Sequence, residues 1–351
     1  MNTIELLKTL SGTFGPSGFE TEVRETLHSL VKPLVDEVKV DALGNLIAIR
    51  HGQSTRKIML DAHMDEVGFL VSHIEENGFL RLAPLGGWDA RILPSHAVMI
   101  QTRDGKKIRG IIGSAPPHIL TEEERKRPIQ LEDLFVDVGV DSSTEISELN
   151  IHVGDPAVIE YPFQQLNENT LTGKAFDDRA GCAVAVEALQ QLQNDNLPWT
   201  LAVAFVVREE IGLRGARTAA YQIQPDVALA LEGTIAADVP GVPLNKQPTQ
   251  MGKGPAISIG DRSFIVPREM VIFLEELAKN LSLPYQHKTP LYGGTDAGAI
   301  HESREGVMAG IISVPCRYIH APLSMMRLTD FDQTVQVAKA FIEQAPERFG
   351  S

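Results

Sequence analysis

The stretch Leu201-Ala-Val-Ala-Phe-Val-Val207 runs directly into Arg208-Glu209-Glu210-Ile-Gly-Leu-Arg-Gly-Ala216. A run this apolar and this rich in β-branched residues reads as a strand buried on both faces, which is the pattern of a parallel sheet covered by helices. It ends in two adjacent carboxylates followed by glycines. In a doubly wound sheet, ligands gather beyond the carboxyl ends of the strands. Two neighbouring glutamates there can divide labour, one gripping a metal ion while the other moves protons. A solvated loop carrying two charges explains the same pair, so the rest of the chain has to decide.

Outward from this stretch the α/β texture recurs. Upstream, Asp177 opens a helix in which Ala180, Val184, Ala188 and Leu192 repeat every four residues. Downstream, strands are expected at 226–231, 256–259 and 310–314, with helices at 267–280 and 330–344. The first forty residues read as helical from Thr3 to Leu10 and from Glu20 to Val31, broken by GPSG at 15–18. Strands follow at 37–40 and 45–50, and Ile58-Met-Leu-Asp-Ala62 is another buried strand running into His63-Met64-Asp65.

Between these two α/β parts, from about Gly68 to Tyr161, short apolar runs alternate with glycines and charged turns: GFLVSHI, GFLRLAPL, HAVMIQTRDGKKIRGIIG, LFVDVGV and DPAVIEY. That is the signature of a small all-β unit. Within it, Thr121–Arg127 (TEEERKR) reads as a solvated loop. The expected organisation is one α/β domain, 1–67 and 162–351, interrupted by a β-barrel at 68–161.

Composition narrows the function. The 351 residues leave room for two domains or one domain with an insertion. No segment approaches the roughly 18 apolar residues of a membrane span, and MNTIELLKTL lacks a basic region followed by an apolar core. A soluble, unexported, cytoplasmic protein without membrane partners is expected. A formal net charge of −14 repels phosphates and argues against a nucleic-acid partner. Cys182 and Cys316, the two cysteines, are too few for a thiolate zinc site, so any metal ligands must be His, Asp and Glu.

Such residues collect where strands end. His63 and Asp65 follow one strand, Glu209 and Glu210 another, Glu232 and His320 two more, and Asp177 and Asp178 open a helix. If the strand continues, His63 and Asp65 point the same way, which lets Asp65 orient the imidazole. Asp177 can bridge two cations about 3.5–4 Å apart, or cap its helix. Five such sites at one sheet edge favour a metal centre over five coincidences.

LDAHMDEVGF, GKAFDDRAG, REEIGLRGA, ALALEG, GGTDAGAI and CRYIHAP occur in this order along nearly the whole chain. This set resembles the tetrahedral aminopeptidases, a family that includes glutamyl aminopeptidases and members once labelled endoglucanase or cellulase. No one motif is specific; their order is. The resemblance implies a phosphorylase/hydrolase-like α/β/α sandwich with an inserted PDZ-like barrel that serves dimerisation. It further implies metal-dependent release of N-terminal residues from short peptides. Asp177 becomes the bridging ligand of two divalent ions, with His63 and Glu232 on one and Glu210 and His320 on the other. Glu209 becomes the general base, and Asp65 orients His63. A homo-oligomer, in the family usually a dodecamer, is implied as well. Nitrogen and oxygen ligands leave zinc, cobalt and manganese open.

Three positions depart from the family pattern. Glu232 stands where an Asp is usual, Asp178 where many members have Asn, and HSP-x-E reads His320-Ala-Pro-Leu-Ser324, so a polar contact behind His320 is expected to be missing. The loop Gly293-Gly-Thr-Asp296 permits close backbone approach, and Asp296 can meet a substrate ammonium or simply cap a helix. Two rival functions remain: a glycoside hydrolase using Glu209 with a second carboxylate, which leaves both histidines unexplained, and a peptide-binding assembly without catalysis.

Overall fold

The computed structural model describes residues 1–350. Its main sheet is built on four parallel strands in the order Trp199–Val206, Ser54–His63, Val227–Ile235, Met308–Arg317. All eight residues of Trp199–Val206 are buried. Removing side chains such as Leu201, Val203 and Phe205 from water stabilises the fold by about 1.5–3 kcal/mol each. The parallel reading holds only at the centre. Leu46–Arg50 with Glu37–Val40 on one side, and Ser324–Arg327, Thr170–Gly173 and Gln164–Asn167 on the other, continue the sheet antiparallel.

Helices cover both faces. Thr3–Gly12, Phe176–Gln191 and Leu328–Phe349 pack together on one, Arg214–Ile223 and Asp296–His301 on the other. The α/β/α sandwich expected from the sequence is therefore present. Helix Phe176–Gln191 is buried along most of its length, and its alanines and Gly181 let it sit close to the sheet. A Cβ on Gly181 would lie 2.7 Å from the Leu231 carbonyl oxygen, and one on Gly233 would lie 2.4 Å from that of Phe176. These two close approaches press the start of the helix against the strand that carries Glu232.

The strand ending at His63 leads into a closed six-stranded barrel: Gly68–Ile74, Leu80–Leu85, Phe135–Asp137, Lys107–Gly113, Ala97–Gln101 and Pro156–Ile159. It has its own core, centred on Phe69, Val71, Val98, Ile100, Ile112 and Val136. The segment TEEERKR is exposed as expected, but it is not a loop. Glu122–Lys126 is a short helix, because Thr121 and Glu124 satisfy each other's backbone N–H groups in a capping box. Among the described residues no helix is long and apolar enough to cross a membrane.

Candidate metal centre

The carboxyl ends of the parallel strands converge on one cavity of about 490 Å³ lined by His63, Asp177, Glu209, Glu210, Glu232 and His320, among others. The five strand-end sites that the sequence singled out thus meet at one place.

Asp177 lies between the two imidazoles. Its Oδ1 is 3.2 Å from His63 Nε2 and its Oδ2 is 3.5 Å from His320 Nε2. Glu210 Oε2 lies 3.4 Å from His320 Nε2, and Glu232 Oε2 lies 3.9 Å from His63 Nε2. Asp177 and Asp178 do not have helical backbone angles, so the regular helix starts after them, not at Asp177 as the periodicity suggested. That frees Asp177 to face the cavity. Asp178 turns inward, where its carboxylate accepts the Gly181 N–H at 2.9 Å and the His63 N–H at 3.1 Å. Asp178 is the helix cap of the pair, and it also fixes the His63 backbone.

Each imidazole is oriented from behind. His63 Nδ1 faces the Asp65 backbone oxygen at 3.1 Å, and His320 Nδ1 faces the Gly87 oxygen at 2.9 Å. With the proton on Nδ1, both Nε2 lone pairs point into the cavity, which is the arrangement a metal-binding histidine needs. Two expectations change in detail. The polar contact behind His320 is not missing: Gly87, on the segment leaving barrel strand Leu80–Leu85, supplies it, while Ser324 bonds instead to the Tyr318 carbonyl. Asp65 holds His63 mainly through its main chain, its carboxylate Oδ1 being 3.5 Å from Nδ1. That fully buried carboxylate accepts the Glu209 N–H at 3.0 Å, the Glu210 N–H at 3.2 Å and the Ser17 hydroxyl at 2.5 Å. It therefore ties the His63 segment to the Glu209–Glu210 turn.

The electrostatics favour a cation. Burial and then the Asp177 charge push Glu210 up to about 7. Burial raises Glu209 and Glu232 well above the carboxylate range, with neighbouring carboxylates adding to it. Burial opposes a charged imidazole at His63 and His320, but the surrounding carboxylates outweigh it; His63 is held well above the imidazole range and His320 at about 10. Donor atoms of His63, Asp177 and Glu210 lie within 4.8 Å of one another, as do those of His63, Asp178 and Glu232. The second grouping includes Asp178, yet both Asp178 oxygens are already engaged by backbone N–H groups. Asp177, with one oxygen toward each imidazole, has the better geometry for a bridge. Clustered, poorly solvated carboxylates facing two oriented imidazoles fit hard or borderline divalent ions.

Asp296 is placed differently from the expectation. It is fully buried and does not line the cavity, although Gly293, Gly294 and Thr295 do. No N–H or hydroxyl of another residue reaches its carboxylate oxygens; its partner is the buried Asp61 carboxyl, with which it shares a hydrogen bond. Burial, then repulsion from Asp61, raises Asp296 well above the carboxylate range. Sequence reasoning also overlooked Ser17 and Gly87. The break at GPSG marked Ser17 as part of a turn; nothing in the sequence signalled Gly87.

The description M42 glutamyl aminopeptidase belongs to the family profile that matches residues 44–337. An aminopeptidase from the archaeon Desulfurococcus kamchatkensis is 42% identical, superposes with a TM-score of 0.94, and aligns over 99% of this chain and 96% of its own. The lysyl aminopeptidase of Pyrococcus furiosus is 33% identical over 97% of this chain and 96% of its own length. The TET1 peptidase of Pyrococcus horikoshii, described as assembling into a tetrahedron or a large octahedral shell, is 33% identical with a TM-score of 0.86, covering 97% of this chain and 99% of its own.

Proposed function

This chain belongs to the M42 glutamyl aminopeptidase family and is an aminopeptidase, and on that premise we propose how its cavity performs the reaction. Two divalent ions bind, zinc or cobalt first among the choices and manganese also compatible with the ligands. His63, Asp177 and Glu232 would hold one, and Asp177, Glu210 and His320 would hold the other. The observation that carries this reading is the Asp177 carboxylate, with one oxygen toward each of two imidazoles whose Nδ1 atoms are held by backbone carbonyls.

The ions, when bound, supply a lowered water pKa and a polarised carbonyl oxygen. Glu209 takes the proton of the attacking water and returns it to the leaving amine. Its backbone is fixed by Asp65, and its carboxylate has no closer ion-pair partner among the described residues than His63, at 3.9 Å. It is therefore free to move a proton. Asp65 acts by positioning both His63 and the Glu209–Glu210 turn.

The substrates in this reading are short peptides, cleaved at the first residue. Residues 1–67 and 162–351 form the catalytic unit, and the barrel within 68–161 makes dimer contacts inside a homo-oligomer, a dodecamer by likeness to assemblies such as that of the P. horikoshii protein. The cytoplasm is the proposed location. A panel of aminoacyl substrates run with metal-depleted and reconstituted protein tests the function. Release of N-terminal residues that vanishes on depletion and returns with metal supports it. Turnover indifferent to chelation, or hydrolysis of a glucan in its place, overturns it.

A further inference from the structure

The turn Gly15-Pro-Ser-Gly-Phe-Glu20 separates the first two helices, Thr3–Gly12 and Thr21–Val31. Its main chain pairs with the segment after His63: the Ser17 N–H reaches the Glu66 carbonyl at 3.3 Å, and the Glu66 N–H reaches the Gly15 carbonyl at 3.0 Å. Two of its side chains extend to the site. Ser17 bonds the Asp65 carboxylate. Glu20 is 3% exposed, and its Oε1 accepts the Gly18 N–H at 2.6 Å and the Arg208 N–H at 3.2 Å.

Arg208 is the residue that needs holding. The buried strand Trp199–Val206 ends just before it, and Arg208 has a φ of 59°, in the left-handed region that a non-glycine residue keeps only where its surroundings fix it. With the strand ladder finished, four successive N–H groups go to side-chain oxygens instead: Val207 to Asn45 Oδ1 at 3.0 Å, Arg208 to Glu20, and Glu209 and Glu210 to the two oxygens of Asp65. The Arg208 carbonyl accepts the Arg214 N–H at 3.2 Å. Of these three side chains, Glu20 is the one that fixes the left-handed residue from which Glu209 departs. Burial, and then the Asp65 charge, raise its pKa, so the turn draws on an acceptor oxygen rather than on a negative charge.

We infer that Glu20 is a positioning residue for the reaction. By holding the Arg208 N–H it fixes the turn that aims the Glu209 carboxylate, and it acts through Glu209 and not through the metal ligands. The inference rests on the general-base role given to Glu209 above.

The test is kinetic and uses Glu20→Ala, Glu20→Asp and Glu20→Gln, with Leu27→Ala as a control. Leu27 is fully buried on the helix that follows Glu20, so its truncation loosens the same segment without touching the turn at Arg208. Glu20→Ala should lower kcat by about 10–100-fold, the scale of a displacement on the order of 1 Å, while KM and metal content stay those of the wild type. Glu20→Gln keeps the acceptor oxygen and should stay within about threefold of wild-type kcat, whereas Glu20→Asp, whose oxygen is drawn back by one methylene, should lose more than that. Leu27→Ala should keep its kcat per folded molecule, with folding followed by circular dichroism. A double-mutant cycle gives a readout that a merely structural role would not move: in a Glu209→Gln background, Glu20→Ala should cost less than about threefold in single-turnover rate. If Glu20→Ala does not fold, Glu20→Asp carries the same comparisons. Wild-type kcat in the variant that lacks the Arg208 contact, an equal loss in both backgrounds, or a Gln variant as slow as the Ala variant overturns the inference. So does loss of a metal ion, which assigns the effect to Glu210, or an equal fall of kcat in Leu27→Ala, which assigns it to stability. Each of these outcomes leaves the role of Glu209 standing; that role falls separately, if Glu209→Gln alone turns over like the wild type.

Discussion

Asp65→Asn isolates the residue that joins the two halves of the site. Asp65 is fully buried, and its carboxylate accepts from the Glu209 and Glu210 N–H groups and from Ser17. Asparagine has the same shape but must present an NH₂ on one side. The Ser17 hydroxyl can rotate to accept, so the amide nitrogen settles on the Oδ2 side and leaves the Glu210 N–H facing a donor. Weakened charge-assisted bonds plus one buried unsatisfied N–H cost about 2–4 kcal/mol of stability. The Glu209–Glu210 turn then shifts. A misplacement on the order of 1 Å costs about 10²-fold in turnover, and loss of a group that orients a ligand costs about 10–100-fold in metal affinity. Ser17→Ala removes one donor and leaves the carboxylate, so its stability cost should be about 1 kcal/mol. Denaturant titration, competition with a chelating dye and steady-state kinetics measure the three effects. An Asn variant whose metal affinity and kcat/KM both stay within about threefold of wild type, well inside the range expected for losing such a group, refutes the positioning role.

Three further outcomes follow from the same geometry. His320→Ala removes one imidazole from the Glu210 side and should lower bound metal from two ions per chain to one by elemental analysis, whereas retention of both would place the second site elsewhere. Metal loading must displace protons from His63, from His320, held at about 10, and from Glu210, held at about 7. Loading near neutral pH should therefore release protons into a weakly buffered solution, and affinity should rise with pH toward about 10; release of no protons contradicts the ligand set. In the metal-free protein the sign for His320 is that of a raised folded pKa. Its stabilising contribution is full below the unfolded value of about 6.5 and is lost as pH rises through about 10, which thermal melts across that window should show.

Much of this was legible in the sequence because burial on both faces leaves a plain mark. Leu201–Val207 is apolar throughout, Ile58–Ala62 is so except for Asp61, and the helix after Asp178 is rich in alanine and valine, so the polar residues that gather where these segments begin or end had to have a use. The small barrel was legible for a related reason, since its strands alternate with glycine turns. What the sequence hid depends on contacts between distant segments. Gly87 orients His320 from 233 positions away through a backbone carbonyl, which any residue possesses. Asp296 looked like a loop carboxylate because GGTD reads as a turn, yet the helix it opens is packed against the central strands. Thr121–Arg127 looked like a loop because of its charge density, although Thr121 and Glu124 have the spacing of the capping box that closes the short helix.

The central claim is that Glu209 moves the proton in a cavity whose metal ligands are other residues. Glu209→Gln keeps shape and volume, and it should retain two ions per chain and an unchanged fold while kcat falls by about 10²–10⁴-fold. Metal content and single-turnover rates measured on the same preparation provide the test. Turnover near that of the wild type with both ions bound would contradict the account, and so would loss of an ion, which would make Glu209 a ligand.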